Sequence, residues 1–124
     1  MPATQVVFYR ERDGTVPVQD WLDELQHRDR GAFKKCVARL RRLRAFGHEL
    51  RRPVADYLRD GVWELRVRHG TVNYRILYFF HGGTACVLAH GLTKKGMVPD
   101  QDIDRALRRK ARFEQDPEGH SHGE

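Results

Sequence analysis

The chain is poor in the patterns on which most enzyme chemistry is built. Its 124 residues hold only two cysteines, Cys36 and Cys86, far apart and in no CxxC pair. With no export signal in view, they read as reduced, buried thiols rather than a disulfide. No apolar run approaches the roughly 20 residues of a membrane span. The opening MPATQVVFYR lacks a basic region followed by an apolar one. The expectation is a cytoplasmic protein without membrane contact. No glycine-rich loop opens a helix and no GxSxG occurs, so nucleotide-dependent chemistry and serine hydrolysis find no support. The HxH pair His120 and His122 has no third or fourth ligand at metal spacing. His69, His81 and His90 are separated by turns and strands. Asp20, Asp23 and Glu24 read as a solvated helix face. Asp100, Asp102 and Asp104 fall where acids complement a helix dipole. Neither group makes the carboxylate cluster that a metal-dependent nuclease requires. No metal and no cofactor are expected.

Positive charge is what the chain has in excess. The net charge is +6 and the pI about 9.7. This favours an anionic partner, whether nucleic acid, acidic protein segment or membrane surface; a solvated basic surface with no partner is the alternative, and charge alone does not decide between them. The length suits one domain, placed at residues 1–115. The tail DPEGHSHGE, 116–124, has no apolar residue and is expected to be disordered.

TQVVFY is rich in β-branched and aromatic residues and predicts a first strand. After the Asp13-Gly14 turn, Pro17 suits a helix start. Val18, Trp21, Leu22 and Leu25 then fall on one helical stripe. HRDRG breaks the pattern, with Asp29 a natural N-cap for a second helix. Phe33, Val37, Leu40 and Leu43 or Phe46 form that helix's buried stripe, with Cys36 beside it. Its other face carries Lys34, Lys35, Arg39, Arg41, Arg42 and Arg44. Residues 48–60 read as a linker ending in the turn Asp60-Gly61. Three strand-like runs follow: VWELRVRH, NYRILYFF and TACVLAHG. Pro99 and Asp100 begin a last helix with Ile103, Ala106, Leu107 and Phe113 on its apolar side.

The stretch from Val62 to Lys95 carries cations at fixed spacings. Arg66 and Arg68 project from one strand face, because successive side chains alternate. Arg75 sits on the next strand after a short connection, so the three guanidinium groups can converge. Lys94 and Lys95 follow the third run. Arg suits a phosphate site because its planar fork engages two oxygens at once. In RNA cleavage the 2′-OH attacks the adjacent phosphorus, and fixed cations stabilise the charge that builds on the phosphorane. His90, His69 and Tyr74 are the titratable groups near these strands. None is assigned a role by spacing, and His90 reads equally as a half-buried structural histidine.

DGVWELRVR, NYRILYFF, a third strand ending in GLTKK, and PDQDIDRALRRK occur here in that order. Together they resemble the phage-derived, HigB-like branch of the RelE/ParE toxin superfamily. VQDWLDEL and ARLRRLRAFG fit the helical hairpin that precedes the sheet, and the resemblance covers roughly residues 5–114. It implies an α+β fold: a mostly antiparallel, twisted sheet of about four strands on an N-terminal helical hairpin, with a C-terminal helix. It implies the toxin of a type II toxin–antitoxin pair, a metal-independent and ribosome-dependent mRNA endoribonuclease. Its partners would be a helix-turn-helix antitoxin, mRNA and the ribosome. By this match Arg66, Arg68, Arg75 and Lys95 take the catalytic basic positions, with His90 the candidate for proton transfer. The late tyrosine of RelE has no counterpart in GMVPDQD. Lys94, Arg105, Arg108 and Arg109 are candidate RNA contacts. ParE-like members poison DNA gyrase instead, and fold alone does not separate the activities. The basic triplet favours RNA. A non-catalytic basic binding module is the remaining alternative.

Overall fold

The run QVVFY forms strand β1 (Gln5–Tyr9) in the computed structural model, which describes residues 4–83 and 85–123. Helix α1 (Pro17–Arg28) starts on Pro17, where no amide donor is needed, and buries Val18, Leu22 and Leu25. HRDRG does not make a loop. Asp29 alone joins α1 to α2 (Arg30–Phe46). Its backbone is extended and its carboxylate accepts from the Ala32 amide at 3.1 Å, which is the expected cap. In α2 the buried side chains are Ala32, Cys36, Leu40 and Leu43, while Phe46 is exposed. The apolar stripe is thus rotated toward Cys36 from the one the sequence suggests. Burial pushes the Cys36 thiol up to about 12 and raises that of Cys86, and both cysteines are free.

Residues 48–60 are more than a linker. They contain β2 (Ala55–Arg59), joined to β3 (Val62–His69) by Asp60 at φ 52 and Gly61 at φ 88. Two positive φ values in a two-residue loop give the type I′ turn, whose twist matches that of paired strands. β4 (Val72–His81) follows the turn at Gly70, and β5 (Ala85–Thr93) the turn at Gly82. Helix α3 (Asp100–Gln115) and a short β6 (Ser121–Gly123) complete the chain. No described helix is long and apolar enough to cross a membrane.

The fold is α+β as expected, but the sheet is not one of four strands. It has six, in the order β2-β3-β4-β5-β1-β6, and it is mixed. β1 runs parallel to β5, from Gln5 opposite Ala85 to Phe8 opposite Leu88. The reason lies in β1 itself. Val6 and Phe8 enter the core under α1 and α2, whereas Val7 and Tyr9 enter the core under α3. A strand that feeds both cores belongs inside a sheet rather than at its edge.

The tail is a second correction. The described residues from Asp116 to Gly123 turn back on the domain, and β6 pairs antiparallel with β1. His120 is buried, stacks on Tyr9 at 5.3 Å and hydrogen-bonds the Arg10 carbonyl through Nδ1 at 2.7 Å. The tail lacks apolar side chains, but backbone pairing and one imidazole anchor it instead.

On the helical-hairpin side, Tyr78 is fully buried and its hydroxyl has no hydrogen-bond partner among the described residues. Burial raises its pKa well above the ordinary phenol value. Tyr78→Phe removes the unpaired group and keeps the ring. It is expected to raise stability by about 1 kcal/mol, read as a shift in the denaturant midpoint.

Candidate functional site

Helix α3 covers only part of its face of the sheet. The remainder presents Asp56 of β2, Glu64, Arg66 and Arg68 of β3, and Asn73 and Arg75 of β4. Arg66 lies directly opposite Arg75 and Arg68 opposite Asn73. Cross-strand partners share a face, and like charges placed so are destabilising unless countered.

The counter-charge is Glu64, 2% exposed. Arg66 Nε donates to its Oε1 at 2.5 Å, and Arg75 Nε lies 3.9 Å from the same oxygen. Asp56 Oδ2 takes Arg66 Nη2 at 3.3 Å and Arg52 Nη2 at 2.9 Å. The Arg52 guanidinium holds the Asp56 carboxyl below the usual carboxylate range. The arginines are therefore fixed in place. The Arg75 side chain is 12% exposed and that of Arg66 41% exposed.

These groups line a cleft of about 730 Å³. Leu58, Met97, Val98 and Ile103 line it too and give it apolar surface, with Met97 strongly exposed. A smaller groove of about 240 Å³ also touches Arg66, Asn73 and Arg75. It adds Arg68 and, from α2, Arg39, and no carboxylate lines it.

Arg66, Arg68 and Arg75 thus come together as their spacing suggests, although Arg68 Nε is spent on the Gly70 carbonyl at 3.2 Å. Lys94 and Lys95 are exposed just beyond β5. The Lys94 amide donates to the Asn73 carbonyl at 3.2 Å, which ties that loop beside the cations, but neither lysine side chain lines the cleft or the groove.

His90 is placed differently. It is buried beneath the first turn of α3, with Nε2 2.7 Å from Asp102 Oδ1, and it lines neither space. Burial lowers its pKa despite the pull of Asp102. The neutral ring then donates Nε2–H to the carboxylate. With the folded pKa below the unfolded value of 6.5, stability is full above that pH and declines as pH falls through it toward the folded pKa. Denaturant midpoints taken across this window are expected to fall, and His90→Gln is expected to flatten that slope.

His69 lies on the opposite sheet face, with Nε2 3.6 Å from the Asp29 carboxylate. Tyr74 packs on that same face, edge-on to Trp21, and burial raises its pKa. Arg109 turns inward: Nη1 donates to the Ala89 carbonyl at 2.6 Å, and the guanidinium lies over Tyr9. Arg105 and Arg108 are exposed on α3 but line neither space.

Four participants escape a reading of the sequence: Arg39, Arg52, Asp56 and Glu64. Glu64 was open to detection, because it stands two and four residues before Arg66 and Arg68 on the same strand and so shares their face. No group of three or more His, Cys, Asp or Glu side chains suited to a metal occurs among the described residues.

No curated protein matches the chain. A family model described as phage derived protein Gp49-like (DUF891) matches residues 20–111, which hold the helical hairpin apart from its first three residues and the whole cation-bearing meander. The chain belongs to the phage-derived Gp49-like family, a family of toxin-like proteins.

Proposed function

We propose that this protein is the toxin of a type II toxin–antitoxin pair. In this reading it is a metal-independent, ribosome-dependent mRNA endoribonuclease of the RelE/HigB kind that arrests translation and growth. The observation that carries the reading is the facing pair Arg66 and Arg75, held over buried Glu64 at the floor of an open cleft. Charge fixed in advance needs no reorganisation when negative charge builds on the phosphorane oxygens. The apolar side of the cleft suits an unstacked base, as a nucleotide requires and a bare anion does not.

Neither His90 nor His69 lines the cleft. Charge stabilisation is accordingly the main catalytic device in this reading. The bases that the cleft itself offers the 2′-OH are carboxylates, Asp56, Glu64 and Asp100. The partners are a helix-turn-helix antitoxin that covers the cationic face, mRNA and the ribosome.

Expression of the chain alone in a bacterium, with mapping of mRNA 5′ ends, tests this. The expected result is growth arrest with new 5′ ends inside coding sequences. DNA damage with intact message would overturn it in favour of gyrase poisoning. Harmless overexpression would leave a basic binding module.

A further inference from the structure

We infer that Lys35, Arg39 and Arg42 on α2 form a track for the backbone of single-stranded RNA, leading out of the arginine cleft. This rests on the ribonuclease reading and extends it to the flank of the substrate.

The sequence of α2, RGAFKKCVARLRRLRAF, contains no acidic residue. Lys35, Arg39 and Arg42 stand at i, i+4 and i+7, which places them on one side of the helix. That side abuts β3, where Lys35 Nζ donates to the Arg68 carbonyl at 3.4 Å. A groove of about 300 Å³ follows the seam, lined by Lys35, Ala38, Arg39, Arg42, Val67 and Arg68. It shares Arg39, Val67 and Arg68 with the smaller groove described above, which in turn shares Arg66, Asn73 and Arg75 with the cleft. Shared lining residues thus link the three spaces in series from Met97 to Arg42, and we treat them as one trough.

Charge gives the trough a direction. The cleft end carries Asp56, Glu64 and Asp100 among its arginines. Beyond Arg75 no carboxylate lines it. Elsewhere on the surface many arginines carry an acid, as in Arg12–Asp116, Arg28–Glu24, Arg59–Asp104 and Arg112–Glu11. Among the described residues no ion pair neutralises Lys35, Arg39 or Arg42, and Arg42 rests over the Phe46 ring. Arg105 and Arg108 are also without an ion pair among the described residues, but they line none of these three spaces. A strand held at Arg66 and Arg75 meets repulsion toward Asp100 and none toward Arg39. The three cations span about 10 Å of helix, room for roughly two or three phosphates.

The test uses two uncleavable 2′-O-methyl oligouridylates, a dinucleotide that fills the cleft and a twelve-residue strand that reaches α2. The variant is Lys35→Gln/Arg42→Gln, two exposed side chains that line neither the cleft nor the smaller groove, with its fold checked by circular dichroism. The long strand is expected to bind about threefold to thirtyfold more weakly, with the log–log salt slope reduced by about 1.4. Dinucleotide binding stays unchanged. An unaltered salt slope for the long strand overturns the track. So does an equal loss for both probes, which marks a diffuse field. Retained RNA binding with lost binding of oligoglutamate reassigns the surface to an acidic protein segment. A wild-type protein that binds the long strand through this track but leaves cellular mRNA intact sinks the nuclease reading and keeps the track.

Discussion

Arg75→Ala is expected to lower RNA cleavage by about 100- to 1,000-fold and to relieve growth arrest, with the protein still folded. The size follows from what one preorganised charge contributes where transition-state charge develops. Retention of the fold follows from the local network. Glu64 keeps its 2.5 Å bond from Arg66 Nε when Arg75 is gone, so no buried carboxylate is orphaned. Arg75→Lys separates charge from geometry. It restores a cation but not the planar fork, so only part of the activity should return. Single-turnover cleavage of a model RNA on ribosomes, beside a thermal melt, reads both quantities. A folded Arg75→Ala protein with full toxicity would remove the arginine pair from the mechanism.

Glu64→Ala is expected to damage both stability and activity, for one reason. Its carboxylate is what allows Arg66 and Arg75 to face each other across β3 and β4. Truncation leaves two guanidinium groups opposed with their nearest counter-charge removed. Breaking one side of a buried ion pair costs several kcal/mol. Arg66 is 41% exposed and still bound to Asp56, so the loss here should sit at the low end, about 3 kcal/mol. Glu64→Gln keeps an acceptor for Arg66 and should recover part of the stability. Because the arginines would no longer be held, cleavage should stay low even at temperatures where Glu64→Gln is fully folded. Denaturant midpoints separate the two losses. A Glu64→Gln protein with wild-type cleavage would mean that the arginines hold their places unaided.

The order of elements was legible because periodicity is a local property. The stripe Val18, Leu22 and Leu25, the Asp29 cap and the start of α3 at Pro99-Asp100 all follow from residues within a turn or two of each other. The facing of Arg66 and Arg75 was also within reach. Once the loop at Gly70-Thr71 is two residues long, each step back from His69 meets a step forward from Val72, and Arg66 lands on Arg75. β2 was overlooked although Asp60-Gly61 between YLR and VWEL is a strong hairpin signal. The rest was out of reach for a physical reason. That His90 meets Asp102, or that Arg39 of α2 joins Arg68 of β3, depends on how helices settle on the sheet, and no spacing along the chain encodes it. The tail misled because side-chain hydropathy is blind to backbone pairing.

The place of β1 has a consequence for synthesis. The earliest of the six strands in the chain is among the last to find its partners. It must wait for β5, which begins some eighty residues later, and is not enclosed until β6 pairs with it at the far end of the chain. The α1–α2 hairpin and the β2–β4 meander can form earlier from nearby partners, but Val7 and Tyr9 stay uncovered until β5 and α3 have been made. Pairings so distant in sequence close slowly. Completion of this sheet therefore waits for residues 121–123: until they are made, one edge of β1 has no partner strand.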